Sequence, residues 1–220
     1  MIVVSLDIGI RNLSVCVLSN TRLENKEVQE QEQELKQQSL WRILPLITEE
    51  VKVKQVSLDQ ISQFLYECLD DLMTMVHDID KTSDLIVLLE NQPCMKAPLM
   101  KTIQIMIYSY FQMQKHVGII NPSIHLVSAA QKTKGHAFQL PETTFSGYKK
   151  RKWESVNYCT KYLETYANFS DQLVYFNSHK KKDDLADAFL QALVWLKTYK
   201  SPKNKNPDEV LKFIQDFKFV

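Results

Sequence analysis

The chain has 220 residues, 45% hydrophobic and 24% charged, an ordinary composition for one folded domain that can bury a core without staples. Its net charge of +1 hides an asymmetry: residues 1–95 hold 8 Lys/Arg against 16 Asp/Glu (−8), and residues 96–220 hold 19 against 10 (+9). Four scattered cysteines with no C-x-x-C pair exclude a disulfide framework and the common structural zinc patterns, and four glycines cannot supply a Gly-rich phosphate cradle.

Residues 2–7 are an apolar, β-branched run ending on Asp7. Ile8-Gly9-Ile10-Arg11-Asn12 reads as a turn and Leu13–Leu18 as a second strand, so the chain opens on a hairpin. The first residues carry no basic n-region or Arg-rich transit segment, no apolar run reaches the ~18 residues of a membrane span, and an intracellular protein is expected. Residues 24–38 are rich in Glu, Gln and Lys with few apolar anchors, and read as an exposed insertion. A third strand is expected within Ser39–Ile47, cut short by Pro45.

Ser57 with Gln60 forms a capping-box signature for a helix to about His77, with Ile61, Phe64, Leu65, Cys68, Leu69, Leu72 and Val76 on one stripe. Leu85–Leu89 is a continuous apolar run, the mark of a strand buried on both faces, and it stops at Glu90-Asn91-Gln92-Pro93. A helix is expected over Met100–Lys115 and a strand over Ile124–Ser128. Residues 130–148 read as a second insertion. Helices follow over Lys149–Tyr166 and Lys182–Tyr199. Residues 1–200 thus read as one α/β domain, a mixed sheet with helices on both faces, and 201–220 as a tail with a short helix at 208–217.

Two carboxylates, Asp7 and Glu90, fall at predicted strand ends, where open α/β sheets collect their ligands. Asp184 and Asp187 lie three apart at the start of the last long helix, on one face, with Asp183 a step off it. Taken singly, Asp7 is better explained as a turn residue and Asp184 and Asp187 as first-turn helix acids, and only Glu90, ending an apolar run before Asn-Gln-Pro, resists such a reading. Together they suit a hard divalent cation with oxygen ligands, acting on a phosphodiester. No histidine pair has metal-ligand spacing, and no serine or cysteine nucleophile signature appears. Lys149, Lys150, Arg151 and Lys152 open a helix, where cations oppose the dipole and a polyanion would relieve them. Lys180, Lys181 and Lys182 directly precede the acids. The alternative for every one of these lysines is a solvated surface.

Three segments, Asp7-Ile8-Gly9-Ile10-Arg11-Asn12, Leu89-Glu90-Asn91-Gln92-Pro93 and Lys182-Asp183-Asp184-Leu185-Ala186-Asp187-Ala188-Phe189, resemble the RuvC-like Holliday junction resolvases, in particular those of large DNA viruses (iridovirus, mimivirus and poxvirus types) and their fungal mitochondrial relatives. The resemblance implies an RNase H-like fold with a mixed five-stranded sheet. It implies a homodimer that nicks four-way DNA junctions in pairs, with Mg²⁺ or Mn²⁺ held by Asp7, Glu90, Asp184 and Asp187 and with Lys181 assisting catalysis. Lys149, Lys150, Arg151, Lys152, Lys180 and Lys182 would bind DNA. The apolar stripe Ile103, Met106, Ile107 and Tyr110 would form the dimer interface. A virus-encoded protein acting where viral DNA replicates in the host cell is expected, with no membrane and no nucleotide cofactor. Bacterial RuvC places an aromatic residue shortly after its strand-end Glu; here that stretch is Asn91-Gln92-Pro93-Cys94-Met95. An RNase H-like nuclease for another branched DNA or for RNA–DNA hybrid, or a non-catalytic nucleic-acid-binding module, shares most of this pattern.

Overall fold

The computed structural model of the chain describes residues 1–20, 40–47, 52, 55–79, 83–136, 138–200 and 207–220. The expected insertion at 24–38 lies outside the described residues. Strand β1 (Ile2–Ile8) pairs antiparallel with β2 (Asn12–Ser19), and β2 with β3 (Arg42–Pro45). Helix α1 (Leu58–Ile79) leads to β4 (Leu85–Glu90), which pairs parallel with β1. Helix α2 (Pro98–His116) leads to β5 (Ser123–Val127), parallel to β4. The order β3-β2-β1-β4-β5, antiparallel on one side of β1 and parallel on the other, is the RNase H-like sheet. Helices α3 (Gly147–Thr165), α4 (Leu173–Ser178), α5 (Lys182–Lys200) and α6 (Pro207–Gln215) follow, and a two-residue β6 (Lys218–Phe219) pairs with the end of β2.

Local chemistry explains the boundaries. Ser57 and Gln60 cap α1 reciprocally: the Ser57 N–H donates to Gln60 Oε1 at 3.0 Å, and the Gln60 N–H to Ser57 Oγ at 3.2 Å. The β1–β2 turn closes with the Gly9 N–H donating to the Asn12 carbonyl at 3.0 Å. A Cβ at position 9 would meet that carbonyl oxygen at 2.8 Å, so the tight turn after Asp7 requires glycine.

The sheet separates two cores. On one face α1 and α2 cover Ile2, Val4, Leu6 and Ile8 of β1 and Val87 and Leu89 of β4. On the other, α3 and α5 cover Val3, Cys16, Leu18, Ile86 and Leu88. Two expectations change here. Phe64, placed on the buried stripe of α1, is 53% exposed, because that helix buries Ile61, Leu65, Leu69, Leu72, Met73 and Val76 instead. The C-terminal segment is more than a tail: Ile214 and Phe217 are buried in the α5-side core.

Candidate active site

The two-residue period of a strand decides where Asp7 and Glu90 point. Val3 lies in the α3/α5-side core, so Ser5 and Asp7 share its phase. Ile86 and Leu88 lie in the same core, so Glu90 faces that layer too. The parallel register pairs Leu6 with Leu89, which brings the next residues, Asp7 and Glu90, side by side at the carboxyl edge.

Helix α5 supplies the facing wall. Leu185, Ala188, Phe189, Ala192 and Leu193 are fully buried, leaving Asp184 and Asp187 on the flank above the strand ends. Two contacts fix its height. The buried Trp41 indole donates to the Leu185 carbonyl at 2.9 Å, and Gln191, one turn past Asp187, donates from Nε2 to Ser5 Oγ at 3.1 Å and to the Leu6 and Leu88 carbonyls at 3.3 Å each. Gln191 thereby ties the helix that carries two acids to both strands that carry the others.

The fourth contributor is one that sequence reasoning missed. β5 ends at Val127 opposite Glu90, the chain makes one 3₁₀ turn over Ala129–Gln131, and Lys132 then enters the carboxylate cluster. Its ammonium bonds Asp7 Oδ1 and Glu90 Oε2 and stands 3.6 Å from Asp187 Oδ2, with its side chain 4% exposed. Asp187 also accepts from the buried Ser155 hydroxyl of α3. Asp7, Glu90, Lys132, Asp183, Asp184 and Asp187 line one cleft of about 490 Å³, whose other wall includes Tyr148, Arg151 and Lys152.

The electrostatics follow from crowding acids out of water. Burial pushes Asp7 up to about 7; Lys132 opposes this and Glu90 adds to it. Asp184 is raised by burial and then by Asp183 and Asp7, and Asp187 by burial against the pull of Lys132. Burial pulls the Lys132 pKa down, but Asp7, Asp187 and Glu90 together hold it above the usual lysine value. One ammonium therefore stays charged amid a surplus of negative charge.

Other predicted residues sit around this centre. Asp183, expected to point away, lines the cleft and pairs with Lys152, whose ammonium also lies 5.0 Å from the Tyr148 ring centroid. Lys149 and Arg151 are exposed, and Lys150 reaches Glu154 at 3.8 Å. Lys180 is exposed, and Lys182 donates to Asn177 at 3.1 Å. Lys181 faces the Asn12 amide oxygen at 3.1 Å once that amide is oriented to satisfy its neighbours; Lys132 is the lysine at the centre. The expected interface needs correction: Ile103 and Ile107 are fully buried against the sheet, and Met106 and Tyr110 pack partly against the same core. The apolar side chains that α2 leaves exposed are Ile105, Tyr108 and Met113.

Among the described residues no three His, Cys, Asp or Glu stand ready as a metal cluster, since the acids close on Lys132. The donor chemistry nonetheless fits a hard divalent ion: Asp7, Glu90 and Asp187 already converge on one cation, all through oxygen, with Asp184 beside them. Among the described residues no helix is long and apolar enough to cross a membrane.

Comparison with known proteins finds a family model over part of the chain and similar solved structures. Residues 130–199, from the Lys132 turn through α5, match the family model of the Poxvirus A22 protein. An uncharacterized protein of Acanthamoeba polyphaga mimivirus is 30% identical over 131 residues, covering 54% of this chain; the match spans 31% of that protein's length. The chain is similar in structure to the fowlpox virus resolvase solved with Holliday junction DNA (16% identity, 91% of this chain and 100% of that one, TM-score 0.48). It is similar also to Thermus thermophilus RuvC (11% identity, 90% and 97%, TM-score 0.46). The family model thus covers about a third of the chain, and the chain spans about a third of the length of the mimivirus protein it matches.

Proposed function

We propose that the chain is a structure-selective DNA endonuclease that resolves four-way junctions by paired phosphodiester hydrolysis. The observation that carries the proposal is the convergence of Asp7, Glu90 and Asp187 on a single buried cation, with Asp184 on the same cleft. Structural ion pairs rarely bury three acids against one ammonium, because each added charge costs desolvation. A surplus of buried carboxylate is stable when the site's working state holds more positive charge.

Asp7, Glu90, Asp184 and Asp187 would hold Mg²⁺ or Mn²⁺, which when bound supplies charge for the attacking and leaving oxygens of the phosphodiester. Lys132, relieved of neutralising the acids, is within reach of a phosphate lying across the cleft and donates to its developing charge. Ser155 holds the Asp187 carboxylate in place. Arg151 lines the cleft and would meet the flanking backbone, with the exposed Lys149 nearby on the same helix, whereas Lys152 orients Asp183.

Two opposed strands must be cut, and one cleft cannot reach both, so the reading includes a two-fold dimer. The exposed face of α2 with Ile105 and Tyr108 is the surface proposed for it. A panel of four-way junction, flap, duplex and RNA–DNA hybrid at fixed Mg²⁺ tests the function. Symmetric nicks in opposed junction strands are expected. Hybrid cleavage with intact junctions would instead make this an RNase H-type enzyme.

A further inference from the structure

The turn that delivers Lys132 is anchored by a hydrogen-bond chain from two helices. The Lys132 carbonyl lies 2.7 Å from His136 Nε2, and His136 Nδ1 lies 3.2 Å from the Tyr162 hydroxyl of α3. That hydroxyl is bonded in turn by the Lys197 ammonium of α5, which also donates to the Gly135 carbonyl at 3.3 Å. The directions are forced. A carbonyl only accepts, so Nε2 carries the imidazole proton, and Nδ1 must accept from Tyr162, whose oxygen accepts from Lys197. Burial keeps the imidazole neutral, lowering His136 to about 4, in agreement with that tautomer. The ring also stacks on Tyr158, with centroids 4.1 Å apart.

We propose that His136 is a positioning residue for Lys132: the chain Lys197–Tyr162–His136 fixes the turn so that the Lys132 ammonium stays among the carboxylates. The geometry assigns a role to the Lys132–His136 turn of the 130–148 segment. Its turn hangs from α3 and α5, and α5 also carries Asp184 and Asp187. The inference rests on the nuclease reading, because it makes Lys132 part of the working site. A merely structural imidazole would stabilise the loop and leave the accessibility of Lys132 unchanged.

Reductive methylation of the full chain without added divalent ion, read lysine by lysine by mass spectrometry, tests it. In the wild type Lys132 should label far more slowly than the exposed Lys149 and Lys180. His136→Phe keeps a ring on Tyr158 but removes the donor; it should raise Lys132 labelling about tenfold and lower junction cleavage about 10- to 100-fold, the usual effect of removing a group that orients an active-site side chain. His136→Gln, whose amide restores a donor, should stay close to wild type. Tyr162→Phe removes one oxygen and should move both readouts in the same direction, and it carries the test should His136→Phe not fold. Rapid labelling of Lys132 in the wild type would overturn the carboxylate–lysine cluster and with it the proposed function. Slow labelling in the wild type and equally slow labelling in the folded variants would overturn the role of His136 alone. So would cleavage lost while Lys132 remains protected.

Discussion

Replacing Lys132 with methionine separates its two roles. Methionine fills much the same volume and removes the charge, leaving Asp7, Glu90 and Asp187 facing one another with no cation between them. Breaking a buried ion pair by deleting one partner costs about 3–5 kcal/mol. At about 2–4 °C per kcal/mol for a domain of this length, metal-free Lys132→Met should melt roughly 6–20 °C below the wild type. Protonation of Asp7, already pushed up to about 7, caps the loss by removing one repelling charge. Mg²⁺ should therefore stabilise the variant more than the wild type, because in the variant it meets the acids without a competing ammonium. Thermal unfolding in EDTA and in Mg²⁺, followed by near-UV circular dichroism, reads both effects. Cleavage should remain low even where Mg²⁺ restores stability. Equal melting of the two proteins in EDTA, with equal Mg²⁺ shifts, would refute the assignment of Lys132 as the internal counter-ion.

Asp7→Asn, Glu90→Gln, Asp184→Asn and Asp187→Asn should each lower junction cleavage at least about a hundredfold, the loss of several kcal/mol of metal-borne charge stabilisation, while gel-shift affinity changes little. Asp183→Asn should cost less, about tenfold, since it acts through Lys152. Neutralising Lys149, Lys150 and Arg151 together should flatten the plot of log affinity against log salt by about 0.9 for each phosphate left without its cation, and an unchanged slope would make them solvated surface. Stability should depend on pH with a definite sign. Asp7 has a folded pKa above its unfolded value of 3.8, so the native state binds more protons between about pH 4 and 7. Its stabilising protonated form is lost as pH rises through 7, and the metal-free protein should melt lower at pH 8 than at pH 5.5, with a ceiling on the order of 4 kcal/mol from this one group. Ile105→Glu, on the exposed face of α2, should give a monomer by light scattering that nicks junctions singly; a wild type that is monomeric with and without junction DNA defeats the dimer.

Most of the fold was legible because its signals are local. The Leu85–Leu89 run, buried on both faces, announced the central parallel strand, and the Ser57–Gln60 pair fixed the start of α1 to within a residue. The carboxylates were legible because strand ends and the opening turns of a helix are positions the sequence marks. Helix α2 was harder. Its sequence is apolar on more than one side, and the pattern does not say which side the sheet takes. The sheet takes Ile103, Ile107 and Phe111, at i, i+4 and i+8, so half of the stripe expected at a subunit interface lies in the monomer core. What a partner can meet is the adjoining strip with Ile105 and Tyr108.

Lys132 could not be read in this way. In a run of Gln131-Lys132-Thr133-Lys134 a lysine reads as solvated, and its burial arises only when acids from β1, β4 and α5 surround it. The one usable signal is positional: it lies just past the carboxyl end of β5, the strand beside Glu90, and so must emerge at the same sheet edge. The charge asymmetry of the chain then acquires a structural meaning. Asp7 and Glu90 come from the acidic half, and Lys132 and the cations of α3 from the basic half, which the fold layers onto the same edge. Four acids alone would repel a phosphodiester. Lys132 at their centre and Arg151 on the cleft wall offset that field, as the proposed approach of a polyanion requires.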